Sequence, residues 1–205
     1  EKYKSKFKLM YNISDKKRNA IYNCFAGHLN IMDIIIKRKI DNCVICEDDA
    51  FIIWDKEGVD TSNINEICLF SGRFHHPRSW KEDSKWRKEV LPTISLENGI
   101  NKIDYDTYRW GGTAAIYYPT WQKVLELYNE IMELDKWKHF DLFLSENHLI
   151  NHYYYPSPFA AIDCINDKKE LDKITSQVAE GQGIVLNYQS SKDPEIFEKL
   201  KPLIF

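Results

Sequence analysis

No run of apolar residues in this sequence approaches the length that crosses a bilayer, and no secretory leader pattern is visible at its start. A surplus of positive charge is missing as well. The 28 Lys and Arg face 31 Asp and Glu, for a formal net charge of -3. Broad nucleic-acid binding normally needs a basic face, so no nucleic-acid partner is expected. The one basic cluster, EKYKSKFK followed by DKKR, is too short and local to supply such a face. No G-x-x-x-x-G-K phosphate loop is present, and there is no repeat or low-complexity tract. Nothing in the sequence sets an oligomeric state. Cysteine is sparse and odd in number: Cys24, Cys43, Cys46, Cys68 and Cys164. Most sit in apolar runs, which predicts buried free thiols and a reducing, cytoplasmic setting.

What is present reads as one sizeable α/β domain over residues 1–205, open to being a piece of a longer chain. Its 12 Tyr, 10 Phe and 6 Trp can fill a core, but Tyr and Trp also line polar clefts. From Asp15, apolar residues recur at Ile21, Cys24, Phe25, Leu29, Met32, Ile35 and Ile36. That spacing predicts one or two amphipathic helices, interrupted near Gly27. CVIC, AFII, EICLFSG and TAAIYYP read as strands, and YYYPSPFAAIDC as extended chain. TWQKVLELYNEIMELDK is the clearest helix, capped by Thr120, with Trp121, Val124, Leu125, Tyr128 and Met132 as its buried stripe. FDLFLSENHLI reads as a short helix, and the C-terminal segment as another, capped by Asp193. Residues 73–106 carry little periodicity. They are expected to form a lid over an acceptor, with His75, Trp80 and Trp86 available for sugar contacts.

The stretch NCVICEDDAFII places three acids, Glu47, Asp48 and Asp49, inside an apolar strand pattern. None can be buried unpaired within a sheet. The strand is therefore expected to end there, at the edge where α/β sheets bind ligands. Hard divalent cations take carboxylate oxygens together with substrate phosphates, so the triplet reads as half of a metal–diphosphate site. A solvated acidic loop is the bland alternative. The CVIC pair itself is not a redox or zinc motif. In a strand its two cysteines point to opposite faces, and neither opens a helix nor leaves a turn.

Four segments in order resemble glycosyltransferase family 25, the lipooligosaccharide and procollagen galactosyltransferase type. Cys24, Gly27 and His28 are similar to that family's Cys-x-x-Ser-His helix start, with Gly27 in place of Ser. Glu47, Asp48 and Asp49 match its Glu-Asp-Asp strand end. WGGTAAIYYP resembles its Gly-Thr-Ala-Ala-Tyr strand, and HFDLFLSE its Asp-containing segment. The family's opening strand and Arg-rich turn have no counterpart after Glu1. The resemblance implies a GT-A type nucleotide-diphospho-sugar transferase fold, a mixed and mostly parallel sheet flanked by helices. It also implies a UDP-sugar donor, a glycan acceptor, Mn2+ or Mg2+, and inversion at the anomeric carbon.

Site roles follow on that expectation. Asp49 would ligate the cation directly, with Glu47 beside it holding metal or its water, and Asp48 would accept from ribose hydroxyls. Asp141 is the expected general base, with Glu146 second to it, against the alternative of a helix cap. Gly111, Gly112 and Thr113 could lie under the donor sugar, or form a plain turn. Trp110 could stack on the acceptor or close the core. Arg18 could meet the uracil or the diphosphate, or be a surface charge. His148 and His152, four residues apart, would share a helix face and offer a late metal ligand. His28 would buttress the Glu47 loop. A metal-dependent nucleotidyltransferase using the same acids, and a non-catalytic glycan-binding relative, are the competing readings.

Overall fold

The computed structural model describes residue 3 and residues 15–47, 50–52, 59–78, 83–162 and 185–186. The expected C-terminal helix capped by Asp193 lies outside them, as do Asp48, Asp49, Trp80 and Cys164.

Helix α1 runs without a break over Asp15–Arg38. Ile21, Phe25, His28, Leu29, Met32 and Ile35 form its buried stripe, while Cys24, within the expected stripe, is exposed. Lys37 and Arg38 sit in the last turn, against the negative end of the helix dipole. The helix ends on Lys39 in the left-handed region, φ 53, with the Ile40 N–H reaching back to the Ile35 carbonyl at 3.1 Å. Gly27 does not interrupt it. A Cβ placed there meets nothing within 4 Å. Gly27→Ala is therefore expected to raise stability by roughly 0.5–1 kcal/mol through helix propensity alone. Urea unfolding checks this, and a lowered midpoint would count against it.

The strands are β1 (Cys43–Cys46), β2 (Ala50–Ile52), β3 (Cys68–Leu69), β4 (Arg73–His75), β5 (Gly99–Lys102), β6 (Arg109–Gly111), β7 (Ala115–Tyr118), β8 (His152–Tyr155), β9 (Phe159–Ile162) and β10 (Val185–Leu186). The helices after α1 are α2 (Asp83–Glu89), α3 (Trp121–Glu133) and α4 (Phe140–Glu146). A five-stranded sheet has the order β1-β7-β3-β8-β5. Smaller groups are β10-β9-β2 and β4-β6.

This arrangement corrects the expected mostly parallel sheet. Of the described pairings only β3–β8 and β9–β10 are parallel. The pairs β1–β7, β3–β7, β5–β8, β2–β9 and β4–β6 are all antiparallel. Parallel neighbours need a long crossover, usually a helix. Here β7 inserts antiparallel between β1 and β3. The layers remain α/β, but the GT-A sheet that the resemblance implied is not what the strands build.

Thr120 caps α3 as expected, accepting from the Lys123 N–H at 3.3 Å. The fully buried residues of α3 are Val124, Leu127 and Ile131, whereas Leu125, Tyr128 and Met132 are only partly buried. Two aromatic clusters anchor the core. Phe25 stacks on Trp137 at 4.5 Å and meets Phe140 and Phe143 edge-on. Trp110 stacks on Tyr153 at 4.2 Å with Phe74 edge-on to it.

The segment expected as a lid contributes to this core instead. Phe74 and His75 are buried on β4, and Trp86 is 6% exposed with its Nε1 donating to the Thr107 carbonyl at 3.1 Å. His75 and Trp86 are therefore not available to a sugar. Trp110, 1% exposed, closes the core and donates to the Ser71 carbonyl at 3.1 Å.

Candidate functional site

The acid run begins where β1 leaves its ladder. The last registered pair is Cys46 with Ala115, and the Glu47 N–H then donates to the Ala114 carbonyl at 2.8 Å. The Ala50 N–H bonds back to the Glu47 carbonyl at 3.1 Å, and Ala50 opens β2 in a different sheet. Glu47 thus stands just past the end of β1, close to the start of β2 in another sheet. Asp48 and Asp49 themselves lie outside the described residues.

Three segments far apart in sequence meet at the Glu47 side chain. Thr113, 8% exposed, donates its hydroxyl to Glu47 Oε1 at 2.8 Å. His28 Nε2 lies 3.2 Å from the same oxygen. The imidazole is 5% exposed and stacks on Phe140 at 4.1 Å. His28 therefore touches Glu47 on one side and, through Phe140, the start of α4 on the other. The His28 hydrogen bond, and after it the Thr113 hydroxyl and the His28 charge, hold the Glu47 carboxyl below its ordinary range despite burial. Its contribution to stability is present above the ordinary Glu pKa and is lost as pH falls through the depressed value.

Asp141 stands in the first turn of α4, one residue beyond Phe140. His139 holds the N-cap position, so Asp141 is not the cap, although its Oδ1 accepts from the Leu142 N–H at 2.7 Å. Burial pushes its carboxyl up, and the charge on Glu47 adds to the rise against the Leu142 hydrogen bond and His139. Asp141, Thr113, Gly112, Tyr105 and Ser145 line one narrow crevice. Thr113 thus reaches Glu47 and borders the same space as Asp141. The two carboxyls are shifted in opposite directions, Glu47 below and Asp141 above its ordinary value, and such environment-driven shifts mark candidate sites.

The remaining expected residues fall elsewhere. Glu146 pairs with Lys138 and, at 3.7 Å, with Arg109, so it is a bridged acid and not an open base. Arg18 is exposed near the start of α1. His148 and His152 do not share a helix face. Helix α4 ends at Glu146, His148 sits beyond it with φ 54 and stacks on Tyr105 at 3.9 Å, and His152 opens β8. Gly111 and Gly112 make room for close packing, Gly111 against the His75 ring and Gly112 against the Gly72 backbone. A Cβ on Gly112 would meet Gly72 Cα at 2.6 Å, and one on Gly111 would meet His75 Cδ2 at 3.0 Å.

Among the described residues one set of three side chains could hold a metal ion: Cys24, His28 and Glu47, whose donor atoms all lie within 4.8 Å of one another. They border an open cleft of about 260 Å³ shared with Asn23, Gly27 and Cys46. Cys24 was the residue that sequence reasoning missed. Its spacing of four from His28 on one helix was the signal available. The thiols are also less buried than expected, since Cys24 and Cys46 are exposed and only Cys68 is buried among the described ones. No helix of the described residues is long and apolar enough to cross a membrane.

Comparison with models of known protein families, with curated proteins and with solved structures gives no match.

Proposed function

We propose that this chain is a glycosyltransferase that moves a hexose from a UDP-sugar to a hydroxyl of a sugar or glycan acceptor, with inversion. The observation that supports it is the convergence of Glu47 and Asp141 on Thr113, one carboxyl held below its ordinary pKa and the other pushed above it. A single displacement needs a carboxylate that takes the acceptor proton as its oxygen attacks. Asp141 fills that role: desolvation raises its proton affinity toward the range where a base works near neutral pH. Glu47, anchored by Thr113 and His28, stays charged and fixes the end of β1.

The donors described around Glu47 are a thiol and an imidazole, softer than Mn2+ or Mg2+ prefers. The cation of the transfer reaction is accordingly assigned to Asp49. When bound there it would neutralise the leaving diphosphate.

A panel of UDP-, GDP- and dTDP-sugars with Mn2+, scored by donor hydrolysis and thermal shift, tests the reading. A UDP-sugar is expected to stabilise the protein in a Mn2+-dependent way and to be slowly hydrolysed. Asp49→Ala is expected to keep the fold and lose Mn2+-dependent UDP binding by calorimetry. Pyrophosphate release from a nucleoside triphosphate would replace the reading with nucleotidyl transfer. Glycan binding without any nucleotide-sugar binding would replace it with a lectin-like role. Proton NMR of the product's anomeric centre reads the stereochemistry, and a retained configuration would remove Asp141 as base.

A further inference from the structure

We infer that Cys24, His28 and Glu47 form a binding site for a borderline-soft divalent cation of the zinc class, seated between helix α1 and the end of strand β1. The site is separate from the hard-cation role assigned to Asp49 and does not rest on glycosyl transfer.

The donor set selects the ion. It offers one thiolate, one imidazole nitrogen and one carboxylate oxygen. Carboxylate-and-water sites suit Mg2+ and Mn2+, whereas mixed sulfur and nitrogen donors favour zinc. The charge also fits, because a thiolate and a carboxylate together balance a dication in a half-buried place.

The geometry fits as well. With Zn–N and Zn–O bonds of about 2.0–2.1 Å, adjacent donors in a tetrahedron are about 3.3 Å apart. His28 Nε2 and Glu47 Oε1 are already 3.2 Å apart. All three donors lie within 4.8 Å, so Cys24 has only a small distance to close. Cys24 is exposed and lies one turn before His28 on the same helix.

One further observation supports a ligand here. The cluster opens onto a cleft of about 260 Å³, giving the ion an entry path and leaving space for a water or substrate atom as fourth ligand. Cys46 lines that cleft but lies outside the cluster of three. Bound there, the ion would tie α1 to the strand end that carries the acids, much as a structural zinc fixes the elements it joins.

The test uses the full, reduced chain, with Co2+ as a coloured stand-in and Zn2+ as competitor. One equivalent of Co2+ is expected to give a thiolate-to-metal charge-transfer band with the intense visible bands of four-coordination, and Zn2+ is expected to abolish both. Cys24→Ser, isosteric at an exposed position, should erase the charge-transfer band and weaken zinc binding by about a hundredfold or more, since even an outer-shell loss costs about 10–100-fold. Its far-UV circular dichroism should match the parent. Cys46→Ser should leave the band in place, and an equal concentration of Mn2+ should not displace Zn2+. Asp49→Ala, which removes the proposed hard-cation ligand, should leave zinc binding intact, so the two sites fail separately. Co2+ bound without a thiolate band, a band lost in Cys46→Ser but kept in Cys24→Ser, or no binding at all would each overturn the site.

Discussion

Asp141→Asn is expected to make the protein more stable at neutral pH and, at the same time, nearly inert in sugar transfer. The two effects share one cause. Asp141 lines a narrow crevice, and burial pushes its carboxyl pKa up, with the charge on Glu47 adding to the rise. For an acid whose folded pKa is raised, the folded state binds the proton more tightly than the unfolded chain does. The relative stability is therefore complete below the unfolded value, about 3.9, and is lost as pH rises through the folded one. At neutral pH the wild type must hold a desolvated negative charge that the amide does not carry. The variant's melting temperature should exceed the parent's at pH 7, and the difference should vanish near about pH 3, where both side chains are neutral. Transfer should fall by roughly 10²–10⁴-fold, the range for a lost general base, with donor affinity almost unchanged. The acidic limb of the pH–rate profile should disappear with it. A variant that is destabilised at pH 7, or that keeps its rate, would remove Asp141 from the proposed role.

Helix α3 and its Thr120 cap were legible because capping and amphipathic spacing are local properties, decided within a few residues. The buried set was less so. Leu125 and Leu127 are identical side chains two residues apart, and only the packing partners decide that Leu127 is interior. The same holds for His75, Trp86 and Trp110. An aromatic or imidazole ring serves a core as well as a sugar, and the surrounding Phe74, Tyr153 and Thr107 decide the matter here.

Strand pairing was the largest failure. Alternation of apolar residues identifies β1 and β7 as strands, but it carries no information on direction. That depends on which distant segment supplies the ladder, and β7 pairs antiparallel with both β1 and β3. The acid triplet was readable as a strand end, since three charges cannot stay in a sheet interior. Of its immediate partners His28 was expected as a buttress, and that contact is present, whereas the Thr113 hydroxyl was not expected on Glu47. The Glu47 contacts to Thr113 and His28 span 66 and 19 residues.

Gly112→Ala is expected to lower stability by about 3 kcal/mol or more, and to disturb the Glu47 site without touching it. Gly112 follows β6 with φ 145, a backbone conformation that side-chain-bearing residues rarely adopt. Strain of that kind costs roughly 1–3 kcal/mol by itself. Space adds a second cost, because an alanine Cβ would lie 2.6 Å from Gly72 Cα, 3.1 Å from Gly72 N and 3.2 Å from the Ser71 carbonyl oxygen. These are backbone atoms, and none can swing aside as a flexible side chain would. They belong to the chain entering β4, which pairs with β6 through Arg73 opposite Gly111. Relief would have to come from prising β4 away from β6, and overpacking of this sort typically costs a further roughly 1–3 kcal/mol. The next residue is Thr113, whose hydroxyl holds Glu47 at 2.8 Å. A shift there should let the Glu47 carboxyl rise toward its ordinary range, visible in a carboxyl titration by NMR. Gly72→Ala, on the facing chain with φ 142, would press first on the buried Trp110 indole and then on the Gly111 carbonyl at 2.7 Å, and should be at least comparably costly. Because both changes force apart the same β4–β6 junction, the double variant should lose less than the sum of the two. Urea midpoints for the three variants decide the matter. A Gly112→Ala protein as stable as the parent would show that the Gly72–Gly112 approach does not hold β4 against β6.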